Sequence, residues 1–186
     1  MLFTQLTNKG KTIMTKPEPT DVEHVVKNVD LIVSKSDAEG NITYVNPIFI
    51  KISGYSQASL LEQPHAILRH PDMPKVIFYY LWENIKEGQE IFAYVKNLCA
   101  DGGYYWVLAN VKMAKNPDGS FRNYMSTRKC ITDNAKATMS ELYKSLLEIE
   151  KTEGEEASEK AFYSFLEDNN IDNVDAFNAY MKNLNK

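Results

Sequence analysis

The sequence predicts an α+β fold: a five-stranded antiparallel sheet with short helices gathered on one face, followed by a C-terminal helical extension. Three observations carry that prediction. Two strand-like runs, "DLIVSKSD" and "NITYV", stand early in the chain. Three more, "EIFAYVKNLCA", "YYWVLANVKMA" and "SFRNYMSTRKCI", follow close on one another. The residues between and after the two groups carry apolar side chains at helical spacing. With 186 residues, 44% of them hydrophobic and 25% charged, the chain has room for one domain of roughly 100–130 residues with appendages.

The elements follow in order. Residues 1–27 read as a polar cap or linker containing "KPEPT", with Met14 as a second candidate start. The first two strands are joined by Asp37-Ala38-Glu39-Gly40, residues that tolerate positive φ or cap their own backbone. In "NPIFIKISGY", Asn46 is a capping residue and Pro47 suits the first helical position. Ile48, Phe49 and Ile52 form an apolar stripe that Gly54 ends. "SQASLLEQ" reads as another helical turn, stopped by Pro64. Next comes "ILRHPDMPKVIFYYLWENI", residues 67–85. From Pro71 the apolar residues Met73, Val76, Ile77, Tyr80, Leu81 and Ile85 keep helical periodicity, and Gly88 closes the helix. The three later strands are joined by Asp101-Gly102-Gly103 and by Asn116-Pro117-Asp118-Gly119, both hairpin-type turn chemistry. The α+β domain so bounded spans 28–132. An exit helix is expected over 133–152, where Met139, Leu142, Leu146 and Ile149 suit either a short coiled coil or packing back onto the sheet. The tail, 153–186, carries two amphipathic pieces, at residues 161–166 and 174–184, read as a docking helical hairpin.

Composition excludes several roles. A net charge of −4 leaves no basic footprint for nucleic acid. No apolar run approaches the roughly 20 residues that cross a bilayer, and the N-terminus lacks the apolar core of a signal peptide, so a cytoplasmic protein with no direct membrane insertion is expected. Cys99 and Cys130 lie far apart without metal-type spacing and read as buried free thiols. No motif pairs a nucleophile with a base, cradles a phosphate or clusters metal ligands, so no enzyme is expected.

Two places carry chemistry. In "EIFAYVKNLCA" one strand face holds Ile91, Ala93, Val95, Asn97 and Cys99, and its small aliphatic residues mark it as the core side. Asn97 stands in the middle of that face. A buried amide needs a partner, either nearby backbone or a ligand. The second place is the expected helix start at Pro71–Met73, whose N–H groups attract an electron-rich partner. Arg69 supplies a forked donor, His70 a ring that donates or stacks, and Asp72 an acceptor that serves a ligand or simply caps the helix and pairs with Arg69. Trp82, off the main apolar stripe beside Phe78 and Tyr79, either packs on a ligand ring or covers the sheet.

These residues carry a family resemblance. Asp37-Ala38-Glu39-Gly40-Asn41-Ile42-Thr43-Tyr44-Val45-Asn46, followed by Phe49 and Ser53-Gly54-Tyr55, resembles the opening of a PAS domain. "RHPDMP", then Trp82, Gly88, "VKN" and "YYWV", is similar to the flavin-binding PAS domain of bacterial aerotaxis receptors; the likeness covers about residues 28–135. It implies non-covalently held FAD, with Arg69, His70 and Asp72 lining the pocket, Trp82 touching the cofactor, and Asn97 near the isoalloxazine, sensing its reduction. It further implies a free-standing PAS partner in a two-protein energy-taxis system that signals by contact to a chemoreceptor or other signalling protein. Two departures from the family pattern stand out. Ala66 follows Pro64-His65 where Asn is common, and Ile91-Phe92 stand where a Trp is common ahead of "VKN". Two alternatives stay open: a haem-binding gas sensor with His70 or His65 as axial ligand, and a cofactor-free dimerisation scaffold. A homodimer is expected through an exposed sheet face bearing Phe92, Tyr94 and Leu98, or through the flanking helices.

Overall fold

The computed structural model describes residues 6–8, 11–13 and 15–186, with side chains from Thr15 onward. Met14 lies outside the described residues. Leu6–Asn8 (β1) and Lys11–Ile13 (β2) pair with each other. Ile32–Ser36 (β3), Ile42–Val45 (β4), Ile91–Leu98 (β5), Tyr104–Lys115 (β6) and Phe121–Lys129 (β7) form a separate five-stranded antiparallel sheet in the order β4-β3-β7-β6-β5. All five strands expected from the sequence are present.

The local chemistry explains the connections. Asp37 Oδ1 accepts from the backbone N–H groups of Glu39 and Asn41, folding the β3–β4 turn onto Gly40 at φ +86°. Asn46 Oδ1 accepts from the N–H of Phe49 and caps Pro47–Ser53 (α1), which Gly54 ends in the left-handed conformation. Gln57–Leu60 (α2) and a 3-10 turn at His65–Leu68 follow.

Lys75–Lys86 (α3) starts later than the periodicity predicts. Residues 71–74 form a turn, because Pro74 disfavours helical backbone at Met73. The Arg-His-Pro-Asp stretch is therefore a loop and not a helix tip. The N–H at the true start, Lys75, donates to Glu150 Oε2 at 2.8 Å, so a side chain of this chain fills the place expected for a ligand.

Asp133–Thr152 (α4), Glu155–Asp168 (α5) and Val174–Leu184 (α6) pack back on the domain. The exit helix packs back on the domain, with Met139, Tyr143 and Leu146 buried and Tyr143 bonded to the β5 backbone. This packing corrects the expected docking face. Tyr94 and Leu98 are 0% and 1% exposed, and the chain's own helices cover Tyr94. The Tyr94 hydroxyl donates to the Met181 carbonyl and the Tyr143 hydroxyl to the Tyr94 carbonyl, each at 2.8 Å. Trp106 stacks on Tyr143 with ring centroids 6.0 Å apart. The edge of β5 is closed by Asn178, which accepts from the Phe92 N–H at 2.8 Å and donates to the Glu90 carbonyl at 2.7 Å. The tail thus completes the sheet.

Candidate functional site

Register places the site. Pairings Ala93↔Ala109, Ala109↔Arg128, Val111↔Ser126 and Ser34↔Ser126 put these residues on one face of the sheet, with Val95 and Asn97. Between this face and α3 lies a cavity of about 250 Å³, near the lower end of the roughly 300–1,000 Å³ typical of small-molecule sites. Phe78, Leu81, Trp82 and Ile85 of α3 form one wall, and Val95, Ala109 and Val111 the opposite one.

Polar groups stand at defined points of this apolar chamber. Asn97 is 5% exposed, and its Nδ2 has no partner. Arg69 is held beside it by an isolated antiparallel bridge between the two residues. The Arg69 guanidinium lies over the Phe78 ring at 3.7 Å, its Nε is buried without a partner, and burial pulls its pKa down. Ser126 Oγ is also buried and unpartnered. At the far end Arg128, 5% exposed, donates to Ser34 Oγ at 3.1 Å and to His65 Nε2 at 2.9 Å. Both partners are neutral, and the ion pairs among the described residues do not include Arg128. Burial brings its pKa down to about 10. Burial first, and the Arg128 charge second, hold His65 at about 3. Besides Glu39 at its lining, the chamber presents unmatched hydrogen-bonding groups and a buried guanidinium outside any ion pair among the described residues, so it is suited to a ligand rich in acceptors.

Of the five residues singled out from the sequence, three line this chamber: Arg69, Trp82 and Asn97. Trp82 stands edge-on to Tyr124 at 5.5 Å and lies so close to Gly40 that a Cβ there would meet the indole at 2.9 Å. His70 and Asp72 are not among the lining residues. His70 is buried, with Nδ1 accepting from the Asp72 N–H at 3.1 Å and its ring edge-on to Tyr104. Burial, then the nearby Lys96, lowers it to about 4. Asp72 is exposed and pairs with Lys96 at 2.6 Å, neither capping α3 nor meeting Arg69. This pair hems the loop that carries Arg69 along β5.

Arg128, Ser126, Ser34, Ser36 and Tyr124 line the chamber and were not singled out. Their signal was available as alternation: Tyr124, Ser126 and Arg128 occupy every second place in β7, as do Ile32, Ser34 and Ser36 in β3. Serines and an arginine ordinarily mark a solvent face, which conceals an inward polar row.

Comparison with known proteins agrees with this geometry. Residues 42–128 match the PAS fold family. The Escherichia coli aerotaxis receptor is 40% identical over 116 residues, which are 62% of this chain and 22% of the receptor. The Klebsiella pneumoniae nitrogen fixation regulatory protein is 30% identical over 119 residues, 64% of this chain and 24% of that protein. The matched stretch is thus less than a quarter of either relative. Among solved structures, a light-oxygen-voltage domain studied with a flavin analogue superposes with a TM-score of 0.52 at 18% identity, covering 60% of this chain and 84% of that one. An RNA-binding light-oxygen-voltage receptor gives 0.53 at 18% identity, covering 59% and 32%. No helix of the described residues is long and apolar enough to cross a membrane. Residues 42–128 of this chain thus have the PAS fold, and much of the chain is similar in sequence to part of the aerotaxis receptor.

Proposed function

We propose that the chain is a redox-sensing module that holds FAD without a covalent bond and signals by contact to a chemoreceptor or another signalling protein. The observation that carries the reading is the unpartnered Nδ2 of Asn97 beside Arg69 in a largely apolar chamber. A buried orphan donor costs roughly 1–3 kcal/mol, and an acceptor-rich ligand removes that cost. The residues fit a flavin ring: Phe78, Leu81, Trp82 and Ile85 offer apolar surface, while Asn97, Arg69 and Ser126 offer hydrogen-bonding groups for its ring heteroatoms. FAD is preferred over other flavins because of the resemblance to the aerotaxis receptors.

A bound flavin supplies a redox centre whose N5 accepts a hydrogen bond when oxidised and donates one when reduced. The Asn97 amide answers both states by rotating, since it carries a donor and an acceptor. Arg128 places positive charge at the chamber's end and favours the more electron-rich form of whatever is bound. Output runs along β5. Three residues before Asn97 on the same strand, Tyr94 bonds to both α4 and α6, so a shift in the strand biases the C-terminal helices.

The module is read as non-catalytic. Ser34 Oγ and His65 Nε2 meet at 2.9 Å, but Arg128 donates to the same nitrogen, and at about 3 this imidazole is a weak base. The haem alternative is disfavoured because that nitrogen is engaged and His70 is off the chamber's lining. The test is the absorption spectrum of the purified protein. Flavin bands, with FAD released on denaturation, are the expected result. A Soret band, or a colourless protein that takes up no added FAD, overturns the reading.

A further inference from the structure

We propose that His24, Cys99 and Asp101 form a site for a zinc-type transition metal that clips the N-terminal segment to the β5–β6 turn. One ligand atom from each residue lies within 4.8 Å of the other two. Sequence spacing gives no sign of this, because His24 stands far from the other two and reaches them only in the fold.

The seat is built by backbone. The Thr20 N–H donates to the Gly102 carbonyl at 2.8 Å, the His24 N–H to the Tyr104 carbonyl at 2.7 Å, and the Tyr104 N–H to the Val22 carbonyl at 2.9 Å. These bonds lay residues 20–24 along the turn. Its glycines make the room: a Cβ on Gly103 would stand 2.6 Å from His24 Nε2, and one on Gly102 2.3 Å from the Glu18 carbonyl oxygen. His24 Nε2 and Asp101 Oδ2 are already 2.9 Å apart.

The ligand set decides the metal class. An imidazole nitrogen, a thiolate and a carboxylate suit zinc and its neighbours rather than magnesium or calcium. Bond lengths of about 2.0–2.3 Å place tetrahedral ligand atoms about 3.3–3.8 Å apart, so side-chain rotation closes the site, with water in the fourth position. The ion has a way in, since the His24 and Asp101 side chains are 33% and 60% exposed. Cys99 is buried, and its Sγ–H donates to the Ile52 carbonyl at 3.3 Å. A dication takes the place of the thiol proton and offsets the negative charge of the thiolate and of Asp101. On binding, the S–H bond breaks, a sulfur–metal bond forms and one proton passes to solvent.

The test titrates the full-length protein with Co²⁺ in metal-free buffer. Expected are saturation at a single equivalent, a thiolate-to-cobalt charge-transfer band, and displacement by Zn²⁺. Cys99→Ala removes the band, His24→Gln weakens Zn²⁺ binding at least roughly tenfold, Cys130→Ala changes neither, and acidification weakens binding. Absence of thiolate absorption, or a band that survives Cys99→Ala, overturns the proposal. Should Cys99→Ala fail to fold, His24→Gln decides alone: native circular dichroism with unchanged Zn²⁺ affinity overturns it.

Discussion

The two faces of one sheet are built to opposite ends. On the side of α4 and α6, tyrosine rings fill the space and their hydroxyls meet carbonyl oxygens: Tyr143 on Tyr94, Tyr94 on Met181. On the side of α3, small residues such as Ala93 and Ala109 leave room, and the polar atoms of Asn97, Arg69 and Ser126 go unmatched. A chain optimised only for stability would satisfy both faces alike, since voids and orphan donors each carry a cost. The contrast teaches where to look for ligand chemistry, and it gives opposite expectations for substitutions on the two sides.

The largest effect is expected from Tyr143→Ala, which empties a fully buried ring site and severs a bond to the β5 backbone. By analogy with buried aromatic truncations, denaturant unfolding should show a loss of about 3–5 kcal/mol. A loss under about 1 kcal/mol would erase the contrast by showing that the helical layer is dispensable. Tyr143→Phe isolates the hydroxyl and should cost about 1 kcal/mol. Asn97→Leu is the counterpart on the other face. Stability should stay within about 1 kcal/mol of the parent, because an orphan donor is removed, while redox-dependent output of the flavin-loaded protein is lost. Unchanged output sinks the sensing role of that amide.

A pH series sharpens the same comparison. His65 and His70 belong to the loop over the sheet, and both are held below the ordinary histidine value, at about 3 and about 4. The unfolded chain therefore binds more protons than the folded one between about pH 6.5 and 4. Urea midpoints should fall as pH drops through that window, and His65→Gln should flatten the fall. A flat profile in the parent would show that neither ring is enclosed in solution. The smallest effect is expected at Tyr79→Phe, which removes an exposed bond to Glu155; unfolding should shift by under about 0.5 kcal/mol.

Much of the fold was legible because it rests on local rules. The alternation in "EIFAYVKNLCA" identified β5 and turned Asn97 inward, and Asn46-Pro47 with Gly54 bounded α1. The start of α3 was misjudged where two local rules compete: apolar periodicity runs back through Met73, but the proline after it forbids the helix. The expected ligand-binding helix tip went with it, and Glu150, from a distant helix, occupies that end. Most of the chamber's polar lining escapes a reading of the sequence for another reason. Ser34, Ser126 and Arg128 come from two strands adjacent only in the sheet, and each strand alone reads as solvent-facing.

The sequence by itself determined the strands, their turns, the inward amide and the PAS pattern, because period, caps and turn residues act over a few positions. Only the tertiary structure decided which surfaces stayed free. Tyr94 lies against α4 and α6, which come much later in the chain, and among the described residues no ion pair reaches Arg128. Burial and charge compensation depend on what the rest of the chain places nearby, and no short window of sequence contains that.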